Sequence, residues 1–150
     1  MTEPKFIPVF TYGTLRTGQY NAKLLAGGVE SAFDATVKGF TLYANTSDSY
    51  PYLVKDEQAT APVKGTLYLL KSEHPAFVKA DRMELGAGYN REIVKVDVAD
   101  KRGEVHEIDA ICWTWNRPQW LGARIPDGDW IAYAETHSPV FFRADSRNWK

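Results

Sequence analysis

Val94, Val96 and Val98 alternate with Lys95 and Asp97, and a period of two is the pattern of a strand with one face in a core and the other in water. The alternation leads into Asp100-Lys101-Arg102-Gly103, whose composition predicts a hairpin turn, with a return strand over 106–115. The other apolar runs are equally short. Residues 6–12 read as a strand with Pro8 near its start or on an edge, 35–43 as a second, and 63–70 as a third in which Gly65 marks a bulge or a close backbone approach. None approaches the ~20 apolar residues that cross a bilayer, so no membrane partner is expected.

Helices are fewer. Residues 19–26 predict a short one closed by Gly27-Gly28, since glycine past a helix end takes the left-handed conformation cheaply. Ser72 is placed to cap a second over about 75–85, with Pro75 in its first turn and Gly86-Ala87-Gly88 ending it. Asn45 to Pro51 has loop chemistry. Residues 116–129 read as irregular, long enough to act as a lid hinged at Gly122 and Gly128, and 129–150 yields no clear element. Five or six strands with two or three short helices indicate an α+β domain or small barrel, and a length of 150 residues without repeats or linkers indicates one domain over 1–150.

Composition excludes several functions. With 44% hydrophobic and 25% charged residues the chain is ordinary globular material, not a disordered one. A net charge of -1 leaves no broad basic surface, so the five tryptophans, which could otherwise suggest a small base-stacking barrel, do not add up to a nucleic-acid partner. A lone cysteine, Cys112, forms no internal disulfide, and the opening residues lack a secretory pattern, so a cytoplasmic location is expected. Cys112 lies within the apolar Ala110-Ile111-Cys112-Trp113, a setting for an inert core thiol rather than a nucleophile. His74, His106 and His137 share no metal-ligand spacing with it or with acidic neighbours, so no metal is expected.

Two features could carry chemistry. At ~100° per residue, Phe77, Ala80 and Glu84 fall within roughly 60° of one another, while Lys79 and Arg82 lie toward the opposite side. Glu84 thus sits in the apolar stripe of its helix. Either it makes a structural ion pair with Arg91 or caps the turn, or burial raises its pKa toward neutrality and suits it to take and give protons. The second feature is Tyr12-Gly13-Thr14-Leu15-Arg16, directly after the first strand. A glycine at a strand-to-loop junction lets backbone N–H groups approach an anion, and it equally suits an ordinary turn.

Taken in order, Phe10 to Gly18 followed by Asn21 and Leu24-Leu25, Tyr50-Pro51, Val63 to Tyr68, Asp81-Arg82-Met83-Glu84 with Tyr89-Asn90-Arg91, and Gly128-Asp129-Trp130 with Tyr133 resemble the motifs of the gamma-glutamylcyclotransferase-like family, in its gamma-glutamylamine cyclotransferase-like subgroup. The resemblance runs from about residue 9 to 133. The chain departs from the pattern at Trp113, where the family often has Tyr, and 116–125 with Trp120 has no counterpart in it; both are expected to touch the part of the site that selects substrate. What the resemblance implies is a small mixed β-barrel of five to six strands flanked by short helices, and a cofactor-independent enzyme. Such an enzyme would release 5-oxoproline from a small-molecule gamma-glutamyl substrate as the substrate's α-amine attacks its own γ-carbonyl. It implies Glu84 as the acid–base residue and the N–H groups of Gly13, Thr14 and Leu15 as the donors to substrate oxygens. Tyr12, Tyr50, Pro51 and Tyr89 would complete the substrate site. A catalytically silent member of the same fold that only binds such a ligand is the alternative.

Overall fold

In a computed structural model, residues 5–13, 15–16 and 20–137 are described. Eight strands occur: β1 Phe6–Thr11, β2 Val29–Val37, β3 Phe40–Asn45, β4 Pro51–Lys55, β5 Val63–Lys71, β6 Asn90–Ala99, β7 Val105–Thr114 and β8 Leu121–Ile125. Two α-helices, α1 Ala76–Gly86 and α2 Trp130–His137, and a short 3-10 helix, Tyr20–Leu25, accompany them. Five strands close a barrel in the order β1-β5-β2-β6-β7, and β4-β3-β8 form a separate three-stranded sheet. The α+β class and the five-stranded mixed barrel agree with the expectation.

The valine alternation is the β6 face of that barrel. Val94, Val96 and Val98 are buried and Lys95 is exposed. β6 runs antiparallel to β7 from Asn90↔Thr114 to Ala99↔Val105. The turn between them is closed by Asp100, whose carboxylate accepts the N–H groups of Arg102 at 2.8 Å and Glu104 at 3.0 Å. β1 pairs antiparallel with β5 over its whole length, and the parallel contact Val9↔Ile111 closes the ring. At Gly65 of β5 a Cβ would lie 2.6 Å from the Phe10 ring and would also collide with the Thr11 carbonyl, so the close approach expected there is real. Cys112 is fully buried in the barrel core. Burial pushes its thiol well above the ordinary range, which leaves little thiolate for chemistry.

Several expectations need correction. The strand expected over 35–43 is two strands in two sheets, β2 and β3, broken at Lys38-Gly39 where Gly39 has φ +80°. The left-handed region at that φ is one that glycine enters without steric cost. The loop expected through Pro51 ends one residue sooner, because Pro51 begins β4. The helix expected over 19–26 is a 3-10 helix of 6 residues, Tyr20–Leu25. Ser72 does not cap α1. Its N-cap is Pro75 with no side-chain cap bond, and His74 Nδ1 instead accepts the Ala76 N–H at 3.0 Å. The irregular stretch 116–129 contains β8, paired to β3 through Leu42↔Ile125, Tyr43↔Arg124 and Asn45↔Leu121. A Cβ at Gly122 would lie 2.7 Å from the Asn45 carbonyl oxygen. The expected lid is therefore partly a sheet edge, and Gly122 is wedged against a neighbouring strand. The tail, left unassigned, carries α2 as far as His137.

Candidate active site

The barrel mouth, the β4-β3-β8 sheet and the end of α1 enclose a cavity of about 550 Å3, a size that holds a drug-sized ligand. Its walls bring together Tyr12, Gly13 and Leu15 after β1, Tyr50 and Pro51 before and in β4, and Glu84 with Tyr89 at the end of α1. Seven of the eight site residues expected from sequence thus face one space. Thr14, the eighth, lies outside the described residues.

Glu84 reaches this space because α1 is held from one side. Ala76 and Ala80 are fully buried, and the helix packs on the 3-10 helix, β5 and β6. Asp81 supplies a polar tether one turn before Glu84. Its Oδ1 accepts the indole N–H of Trp113 in β7 at 2.9 Å, and its Oδ2 pairs with Arg91 of β6 at 2.6 Å. Arg91, the counter-ion that would have made Glu84 structural, is therefore committed elsewhere. Burial raises the Glu84 pKa to about 7. Without a stabilising partner, a desolvated carboxyl keeps its proton toward neutrality.

The loop after β1 is pinned at both ends. The Arg16 N–H donates to the Gly13 carbonyl at 3.0 Å, Tyr68 Oη donates to the Leu15 carbonyl at 2.6 Å, and Arg16 pairs with Asp129 at 3.0 Å. Asp129 Oδ1 also accepts the Ile131 N–H at 3.1 Å, so the same carboxylate ties the loop to the start of α2. Gly13 abuts the second site loop: a Cβ there would sit 2.7 Å from Pro51 Cγ.

The tyrosines act as walls. Tyr12 Oη donates to the Trp113 carbonyl at 2.5 Å and accepts the Leu53 N–H at 3.3 Å, while Tyr89 Oη donates to the Pro51 carbonyl at 2.7 Å. Both phenolic protons are thereby spent on the backbone rather than offered to a ligand. For both phenols burial, with the nearby Glu84 charge also contributing, pushes the pKa well above the ordinary value, so they stay neutral. Tyr89 stands edge-on to Tyr52, and Tyr52 stacks on Trp115 at 4.1 Å.

Trp113 and Trp120, expected near the substrate-selecting part of the site, line the cavity, and the sequence reading missed Asn45, Thr46, Ser47, Tyr52 and Met83. Tyr52 follows Tyr50 by two, a strand alternation that recognising β4 would have exposed. The signal for Trp120 was its segment's lack of a counterpart in the family pattern. Trp120 is 59% exposed and holds φ +64°, a conformation costing a bulky residue roughly 1–2 kcal/mol. Away from the cavity, the β6–β7 turn brings Asp100, Glu104 and His106 within 4.8 Å of one another, a clustering the sequence reading did not find. All three are exposed, and His106 Nε2 lies 2.7 Å from Asp100. Exposed acidic groups of this kind need no ion to account for them.

A family model described as gamma-glutamyl cyclotransferase, AIG2-like, matches residues 9–132. YkqA from Bacillus subtilis superposes with a TM-score of 0.65 at 25% identity, over 86% of this chain and 41% of that one. An uncharacterized protein from Pyrococcus horikoshii superposes at 0.55 with 26% identity, over 87% of this chain and 95% of that one. A gamma-glutamyl cyclotransferase specific to glutathione from yeast shares the fold at 0.59 and 14% identity, over 88% and 85%. No curated protein matches the chain by sequence.

Proposed function

This chain belongs to the gamma-glutamyl cyclotransferase, AIG2-like family, and on that footing we propose that it cyclises gamma-glutamyl compounds, releasing 5-oxoproline and a free amine or amino acid. The observation that carries this reading is the Glu84 carboxyl, with a pKa near 7, in one cavity wall with Gly13 and Leu15 in another. In the proposed reaction the substrate's α-nitrogen bonds to its γ-carbonyl carbon, closing a five-membered ring. The bond from that carbon to the leaving nitrogen then breaks. The α-ammonium sheds two protons in becoming the ring N–H, and the leaving nitrogen gains two in becoming an ammonium, so no water, metal or redox partner enters the balance.

Because nucleophile and electrophile belong to one molecule, holding the glutamyl chain folded supplies much of the rate. What remains is proton transfer. Glu84, ionised, takes a proton from the α-ammonium and, protonated, hands one to the leaving nitrogen. A pKa near 7 suits both directions. The main-chain N–H groups of Gly13, Thr14 and Leu15 are assigned to the α-carboxylate and the γ-oxygen, whose negative charge grows at the transition state. Loss of one such donor typically costs ~3 kcal/mol of transition-state stabilisation.

The test is incubation with a panel of gamma-glutamyl amides and peptides, with 5-oxoproline measured by mass spectrometry. Product formation abolished in Glu84→Gln supports the assignment. No product from any member retires the enzymatic reading and leaves a silent ligand-binding protein.

A further inference from the structure

The cavity is larger than a glutamyl tail needs, and its residues divide by chemistry. Glu84 and the loop at Gly13 and Leu15 are polar walls. Tyr50, Tyr52 and Trp120 line the same space with aromatic rings, beside the uncharged Asn45, Thr46 and Ser47. Tyr50 is 52% exposed and Trp120 59%, two of the most exposed rings among the described residues. No lysine or arginine among the described residues lines this space. Three cations near its walls in sequence are engaged elsewhere: Arg16 pairs with Asp129, Arg91 pairs with Asp81, and Arg117 lies 5.5 Å over the Trp115 ring.

Trp120 is held in place by its backbone. Its carbonyl accepts the Thr46 N–H at 2.9 Å, and the next residue, Leu121, enters β8 opposite Asn45. Its ring lies 6.2 Å from Trp115, which in turn stacks on Tyr52. A tryptophan fixed with φ +64° in a position that favours glycine, half in solvent at a cavity mouth, points to a function for the ring.

We propose that Trp120 and Tyr50 form an aromatic clamp for the leaving group, so that the protein selects gamma-glutamyl amides of apolar, ring-bearing amines over those whose leaving group carries a carboxylate. This rests on the cyclotransferase reading of the same site. The glutamyl part brings one carboxylate and one ammonium, which the loop N–H groups and Glu84 match. A second carboxylate on the leaving side would meet no lysine or arginine among the described lining residues, and contact with the two rings would strip part of its water without replacing it. An apolar ring there meets Trp120 and Tyr50 in stacked or edge contact, which the offset aromatics of the wall already adopt with one another.

The test compares gamma-glutamylbenzylamide, gamma-glutamylmethylamide, gamma-glutamyl-2-phenylethylamide and gamma-glutamylphenylalanine. The expected result is a kcat/KM for the 2-phenylethylamide at least about tenfold above that for the phenylalanine compound, which differs from it only by the carboxylate. In Trp120→Ala the benzylamide-to-methylamide ratio of kcat/KM is expected to fall about tenfold, and in Trp120→Phe to stay near the parent's. The same two ratios are read as binding constants by calorimetry on Glu84→Gln, which needs no turnover. Turnover with a ratio that Trp120→Ala leaves unmoved overturns the clamp and keeps the cyclotransferase. Absent turnover with a Trp120-dependent affinity ratio keeps the clamp and overturns the cyclotransferase. Preference for the phenylalanine compound in either measurement overturns the clamp.

Discussion

At Glu84 the penalty for leaving water and the requirements of a proton shuttle point the same way. Its pKa is near 7 in the folded chain against an ordinary 4.5, so between these values the folded state binds a proton that the unfolded state has released. Stability therefore falls as pH rises through that window, by up to about 3 kcal/mol. Glu84→Gln should abolish this decline, which urea unfolding at pH 5 and pH 8 would reveal as a smaller difference than in the parent. The same substitution should lower kcat by about 100-fold or more, in keeping with the usual contribution of general acid–base groups. The acidic limb of kcat/KM should have its midpoint near 7. A limb near that of an ordinary carboxylate would mean that burial does not govern the catalytic proton. Cys112, by contrast, should resist iodoacetamide in the native protein and react after unfolding, since its thiol is buried and neutral. Both residues were legible because each is a chemically distinctive group inside an apolar pattern. The structure added what no pattern holds: Arg91, an equally plausible partner for Glu84 by sequence, turns to Asp81 instead.

Among the elements, α1 shows how a helix can aim one side chain. Its two buried alanines let it lie close to the barrel, and Asp81 fixes its rotation by holding Trp113 and Arg91 from two different strands. Asp81→Ala should leave the Trp113 indole N–H without its acceptor and cost about 1–3 kcal/mol of stability. It should also lower kcat more than it raises KM, because Glu84 is one helical turn away. Unchanged kcat in the folded variant would show that the tether does not position Glu84. The β1–β5 pair makes a different demand. Gly65→Ala would drive a methyl into the Phe10 ring and the Thr11 carbonyl, and the expected outcome is a loss of several kcal/mol or failure to fold, since a backbone oxygen cannot step aside as a side chain can. Strands with buried alternating faces, such as β6, were readable from residues alone. β4 and β8 were not. β4 is five residues long beginning at a proline, and β8 shows three consecutive exposed residues, Gly122 to Arg124. Both owe their conformation to pairing with β3 rather than to any local preference, and tertiary pairing of that kind leaves no periodic trace.

For the molecule as a whole, the cavity draws on segments around residues 12, 46, 51, 84, 113 and 120, which meet only once the barrel and the second sheet are both formed. A ligand seated there should bridge these segments and stabilise the whole fold. At a hundred times its dissociation constant it would contribute ~2.7 kcal/mol, raising Tm by roughly 5–10 °C for a chain of this size. Thermal scans of Glu84→Gln with a gamma-glutamyl amide would measure this without turnover. Barrel closure through the single parallel contact Val9↔Ile111 joins residues a hundred positions apart and has no local sign. The order of motifs along the chain was therefore a better guide to the global arrangement than any one of them.

Where Gly13 meets Pro51, the loop after β1 and the start of β4 touch with no room for even a methyl group on Gly13. A lineage adapting to a new amine can rarely begin at Gly13, because a side chain there needs a matching change at Pro51. The rim, where Tyr50 and Trp120 face outward, carries no such linkage. Selection for altered specificity in the laboratory should accumulate single substitutions around that rim while the floor beneath stays as it is.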